Sequence, residues 1–178
     1  MARSRWKSLV GPLRVRRATL KDLDVLVHQR RAMWMDLGVK DQPRLDRADK
    51  TYRRWTTTRL RNHTLVAWVV ENRSGRIAGG GCLWLHPIQP NPRRDFTMQP
   101  YLLSMYTEPD FRRRGVASIV VGKAIEWSRK HEYGRLMLHA SEIGRKVYKQ
   151  FGFKRTWEMR LDLEKSPTKL NHSSRERA

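Results

Sequence analysis

The sequence predicts an α+β fold, a single domain with a mixed sheet flanked by helices. The first observation is the order of its segments. Strand, two helices, three strands, helix, strand, helix and strand follow one another without an internal repeat. The second is punctuation: Gly38, Arg73-Ser74-Gly75, the prolines at 87, 90 and 92, Gly115 and Gly152 fall at the joins. The third is length, since 178 residues make one ordinary domain that buries its own core.

Residues 1–12 read as a basic, flexible lead-in, residues 13–163 as the domain, and residues 164–178 as a polar tail. Leu13-Arg14-Val15-Arg16 is a short alternating strand. Thr19-Leu20-Lys21-Asp22 has the form of a capping box, and the helix it opens carries Leu20, Leu23, Val27, Ala32, Met33 and Met35. A second, polar helix is expected over residues 47–61, with Tyr52, Trp55 and Leu60 as its apolar face. Residues 64–71 and 76–85 read as alternating strands about a hairpin turn, and residues 86–98 as a proline-rich loop. A strand over 100–107, a helix over 115–130, a strand over 135–140, a short helix containing Tyr148 and a last strand over 153–163 complete the order.

Chemistry concentrates where the 100–107 strand runs into the next helix. The connection is Glu108-Pro109-Asp110-Phe111-Arg112-Arg113-Arg114-Gly115-Val116-Ala117, and Val116, Ile119, Val120, Ala124 and Trp127 then recur at helical spacing. A helix start presents unsatisfied N–H groups and the positive end of a dipole. Gly115 and Ala117 lack bulk, so backbone can approach an anion closely, and the arginines add charge-assisted donors. A pyrophosphate cradle and a solvated charge run are both compatible with this loop alone.

The loop resembles the Gln/Arg-x-x-Gly-x-Gly/Ala signature of the GNAT family of N-acetyltransferases. A second block strengthens the resemblance: Leu136 to Ser141, the helix bearing Tyr148, and the ending Gln150-Phe151-Gly152-Phe153. The resemblance spans residues 13–163. It implies a mostly antiparallel central sheet with splayed fourth and fifth strands, the pantetheine arm of acetyl-CoA lying between them. It also implies acetyl-CoA as cosubstrate, with no metal. Arg112, Arg113, Arg114, Gly115, Val116 and Ala117 would hold the pyrophosphate, and the backbone of Met105, Tyr106 and Thr107 would pair with the arm as an added strand. Direct transfer to a primary amine in a ternary complex follows, with Tyr148 as acid for the departing thiolate.

The general base is open on sequence. The carboxylate common in the fifth strand of amino-terminal acetyltransferases is absent from Leu136-Met137-Leu138-His139, which leaves His86, His139, Glu142 or a water-mediated path. Asp36 falls where the acceptor site is usually lined. Gly79-Gly80-Gly81 inside a strand marks a bulge or close backbone approach. Trp34, Trp55 and Trp84 line a pocket or fill the core.

Composition bounds the remainder. No apolar run approaches the roughly 18 residues of a membrane span, and Ser8-Leu9-Val10-Gly11 is too short for a signal-peptide core. Cys82 stands alone, so no intrachain disulfide forms, and it reads as a small buried hydrophobe. A cytoplasmic protein is expected; the sequons at Asn62 and Asn171 are discounted on that ground. The net charge of +21 implies nonspecific attraction to nucleic acid and supports an alternative, a basic nucleic-acid- or ribosome-binding protein on the same fold. The expected partner is an amine, on a small molecule or a protein. A homodimer is the commonest symmetric assembly.

Overall fold

A computed structural model of the chain describes residues 12–90, 92, 96–161 and 163. The expected lead-in up to residue 11, the expected tail and the sequon at Asn171 lie outside the described residues. Strand β1 (Arg14–Arg17) leads through a 3-10 turn (Leu20–Asp22) into α1 (Leu23–Asp36), followed by α2 (Gln42–Arg61). Strands β2 (Leu65–Glu71), β3 (Ile77–Pro87) and β4 (Met98–Thr107) come next. A 3-10 turn (Pro109–Phe111) then precedes α3 (Val116–Lys130), β5 (Met137–Leu138) and α4 (Arg145–Gln150). The sheet runs β1-β2-β3-β4-β5, antiparallel throughout except for the parallel β4–β5 pair.

Local chemistry explains most boundaries. The capping box at Thr19 forms as expected: Thr19 N–H donates to Asp22 Oδ2 at 2.8 Å, and Thr19 Oγ1 accepts from Lys21 N–H at 3.2 Å. Helix α2 begins five residues before the expected start. Asp41 caps it by accepting from Arg44 N–H at 2.9 Å, and Pro43 fits its first turn, where no N–H is required. Strand β2 is buried on both faces from Leu65 to Val70, so the expected alternation gives way to a continuous apolar run. Helices α1 and α2 cover one face, over Leu65, Ala67, Val69 and Cys82. Helices α3 and α4 cover the other, over Val66, Trp68, Val70, Leu83 and Leu102.

The expected last strand over 153–163 does not form. The described residues there carry no sheet pairing, and Trp157, Met159, Leu161 and Leu163 are exposed. Their alternation is genuine strand patterning, but β5 is only two residues long and offers no ladder to extend.

Asp22 anchors β1 to α1. Its carboxylate accepts from Arg16 at 2.7 and 3.0 Å as well as from Thr19 N–H, and Arg16 also reaches Glu71 at 3.1 Å. The Arg16 hydrogen bonds hold the Asp22 carboxyl below its ordinary range against the opposing effect of burial. A depressed carboxylate stabilises the fold above its unfolded pKa and loses that contribution as pH falls through the lower folded value. Asp22→Asn is therefore expected to cost about 1–3 kcal/mol at pH 7 and much less once the pH has fallen through the lowered folded pKa, read as urea midpoints across pH. An equal loss at both pH values would show that the ion pair is not the cause.

Candidate active site

Strand β4 organises the site. Leu103 opposes Cys82 and Tyr106 opposes Gly80, so Ser104 and Met105 together face the single residue Gly81. This is a β-bulge, with Ser104 in the left-handed region at φ 52°. The triple glycine fits it by close approach. A Cβ on Gly80 would lie 2.5 Å from Trp68 O, and one on Gly79 would lie 2.5 Å from Tyr106 O. The extra residue is in β4, opposite the glycines that signalled it.

On its other edge β4 pairs with β5 only at Tyr101↔Met137 and Leu102↔Leu138. Among the described residues no strand pairs with Leu103 to Thr107 on that side, which leaves a gap in the sheet pairing beside the bulge. Met105, Tyr106 and Thr107 border it, in agreement with the expected splay.

Strand β4 runs on in sequence into the arginine loop. Arg113 (φ 60°) and Gly115 (φ 82°) are both left-handed, which turns the chain sharply into α3. The first helical bond is Ile119 N–H to Gly115 O at 3.0 Å, so the N–H groups of Val116, Ala117 and Ser118 precede the ladder. A Cβ on Gly115 would meet nothing within 4 Å, so the space in front of the helix start is open. Backbone donors and open space of this kind suit a phosphate. The three arginines differ. Arg112 binds Asp36 at 2.5 Å and donates to Thr107 O at 3.2 Å, so it ties the loop to the end of α1 and to β4. Arg113 and Arg114 have no ion pair among the described residues. Arg114 is half-buried and lies 5.8 Å from the Phe111 ring.

Tyr148 stands on α4, half-buried against the α3-side core and edge-on to Phe153 at 5.9 Å. Burial pushes its phenol pKa up, which keeps the hydroxyl protonated at neutral pH. Packed aromatic and proton donor are compatible roles at this position.

The opposite face of the sheet carries a row of rings. Tyr52 stacks on Trp55 at 5.8 Å, Trp55 meets Trp84 at 5.6 Å, and Trp84 meets His86 at 5.0 Å. Tyr101 follows at 5.7 Å from His86 and 5.9 Å from His139. The Tyr101 hydroxyl is hydrogen-bonded to His139 Nδ1, and Glu158 lies 3.7 Å from His139 Nε2. Two of the candidate bases are thus joined through one tyrosine, with His139 one residue past the last β4–β5 pair. Glu142 is exposed in the turn before α4, and Asp36 is engaged by Arg112. Cys82 is buried and its thiol is pushed up to about 11, so it remains an unreactive thiol at neutral pH.

Two residues escaped the sequence reading. Ser104 is marked only indirectly, by the glycines opposite it. Arg30 on α1 donates to Ser104 Oγ at 3.1 Å and lies 4.6 Å from the Tyr52 ring. Nothing local distinguishes it from the neighbouring helix arginines.

Among the described residues no group of three or more His, Cys, Asp or Glu is placed to hold a metal ion, and no helix is long and apolar enough to cross a membrane. No curated protein gives a significant match to the sequence. Solved structures do. A predicted acetyltransferase from Clostridium acetobutylicum, determined with acetyl-CoA, is 28% identical, with a TM-score of 0.77 over 85% of this chain and 97% of that one. A GCN5-related N-acetyltransferase from Ralstonia eutropha JMP134 is 25% identical, also with a TM-score of 0.77, over 85% and 99% of the two chains. An aminoglycoside N-acetyltransferase in complex with CoA shares the fold at 18% identity, with a TM-score of 0.66 over 86% and 95%. The model of the acetyltransferase (GNAT) family matches residues 28–153, which include the second part of α1, the bulge, the arginine loop and Tyr148. The chain therefore belongs to the acetyltransferase (GNAT) family, and it is an N-acetyltransferase with acetyl-CoA as its acetyl donor.

Proposed function

We propose that a single domain over residues 13–163 transfers acetyl directly to a primary amine in a ternary complex. The observation that carries this reading is the succession of a bulge at Ser104-Met105, a β4 edge with no strand partner beyond Leu102 among the described residues, and a helix start at Gly115 with open space before it. When bound, acetyl-CoA supplies an activated acyl group: the amine nitrogen bonds to the carbonyl carbon, the carbon–sulfur bond breaks, and the sulfur leaves as thiolate.

The chain's own residues supply position and protons. Backbone N–H groups of Val116, Ala117 and Ser118, with Arg113 and Arg114, hold the pyrophosphate, and Arg112 braces the loop. Main-chain groups of Met105, Tyr106 and Thr107 pair with the amides of the pantetheine arm. Backbone N–H groups at the bulge polarise the carbonyl oxygen. Tyr148 gives its proton to the departing sulfur. On the ring-lined face His139, held between Tyr101 and Glu158, takes the proton that the amine loses.

The test combines thiol release with product mass. The wild type is expected to release one thiol for each acetyl gained by an amine. Tyr148→Phe and His139→Gln are each expected to lower kcat about 10- to 100-fold with acetyl-CoA affinity within about twofold, the share usual for one acid–base group. Wild-type kcat in both variants would overturn these roles.

A further inference from the structure

We infer that the acceptor is an amine that also carries a carboxylate, an amino acid with a large apolar side chain, and that Arg30 binds the carboxylate. The inference rests on the acetyl-transfer reading above and names the substrate class of the same site.

Burial and charge lead to it. The half-buried arginines among the described residues are Arg16, Arg30, Arg31, Arg59 and Arg114. A guanidinium taken partly out of water needs an anion or a rich set of hydrogen bonds. Arg16 has Asp22 and Glu71, and Arg31 has Asp46 and Asp49 at 2.8 and 2.6 Å. Arg30, Arg59 and Arg114 have no carboxylate partner among the described residues. Arg114 belongs to the phosphate loop, so its anion comes from outside the chain. Arg30 is in the same electrostatic condition on the other side of the bulge.

Arg30 is held in place without being neutralised. One nitrogen donates to Ser104 Oγ at the bulge, and the guanidinium lies over Tyr52 at 4.6 Å and Trp34 at 5.7 Å. Ring faces fix a guanidinium while leaving its other edge donors available, and a planar carboxylate is the group that accepts two of them together. The adjoining surface is the ring row through Trp55 and Trp84, which suits an apolar side chain. Arg59 lies farther along that row and donates to the Trp55 carbonyl at 3.5 Å. A cationic row of this kind repels a polyamine. It favours an acceptor whose negative end sits at Arg30 while its amine lies between the bulge and His139.

The experiment compares three acceptors that share one side chain: phenylalanine, its amide and its decarboxylated amine. In the wild type kcat/KM is expected to be at least about tenfold higher for the acid than for either neutral-ended analogue, the effect of one charge-assisted pair. Arg30→Met should remove that preference, lowering kcat/KM for the acid about tenfold more than for the amide with acetyl-CoA affinity within about twofold, and Arg30→Lys should retain part of it. Equal or better use of the amide by the wild type overturns the inference, as does an Arg30→Met variant that loses activity on all three equally. No transfer to the acid while acetyl-CoA still binds overturns only the acceptor class. Failure to bind acetyl-CoA overturns the function on which it rests.

Discussion

Gly115→Glu is expected to weaken acetyl-CoA binding about 100-fold or more while leaving the fold intact. The residue stands at φ 82°, which a side chain adopts only with strain, yet a Cβ there meets no atom within 4 Å. The added carboxylate would project into the space before the α3 N-terminus and repel a pyrophosphate there. Like charges brought together at a binding site cost several kcal/mol, and about 2.8 kcal/mol already corresponds to 100-fold. Backbone strain alone costs of order 1 kcal/mol, so Gly115→Ala should lose far less. Calorimetric titration of the two variants separates charge from strain. Equal losses in both would mean that conformation, not phosphate contact, accounts for the glycine.

Gly80→Ala is expected to have the largest effect on stability, a loss of about 3 kcal/mol. Its Cβ would lie 2.5 Å from the Trp68 carbonyl oxygen and 2.6 Å from Gln29 Oε1. The first contact is backbone of the interior strand β2, which cannot yield without disturbing its pairing. The second is a side chain that is itself buried, with both amide atoms unpartnered. Overpacking of this kind typically costs 1–3 kcal/mol, and a rigid neighbour puts the case at the upper end. For a chain of this length the corresponding fall in Tm is about 6–12 °C. An unchanged melting temperature would mean that β2 and β3 separate more easily than their packing suggests.

These two glycines also show what the sequence makes legible. Gly115 was readable because everything that gives it meaning lies within ten residues: the arginines, the small residue after it, and the helical recurrence of Val116, Val120 and Ala124. The capping box at Thr19 and the glycine stop at Gly152 were readable for the same reason. Gly80 was readable only as an anomaly in a strand. Its partners come from β2 and α1, and the bulge it accommodates is in β4. Arg30 shows the limit most clearly, since its partner Ser104 lies 74 positions away. The failed strand over 153–163 makes a related point. Alternation at Trp157, Met159 and Leu161 specifies a strand's two faces but not a neighbour, and β5 is too short to serve as one. The row from Trp55 through Trp84 and His86 to Tyr101 and His139 is likewise a product of strand register. It turned separate candidate bases into one connected group.

The central claim is that phosphate donors at α3 and the gap beside β4 form one acetyl-CoA site. Its most direct test is titration of nucleic-acid-free wild-type protein with acetyl-CoA at moderate and at high salt. With a net charge of +21, nonspecific attraction to any polyanion is strong but falls steeply as salt rises. One-to-one, micromolar binding that persists at high salt is the predicted result, because backbone donors and strand-like pairing do not depend on the long-range field. Binding that disappears with added salt, or that free pyrophosphate reproduces at equal affinity, would contradict it.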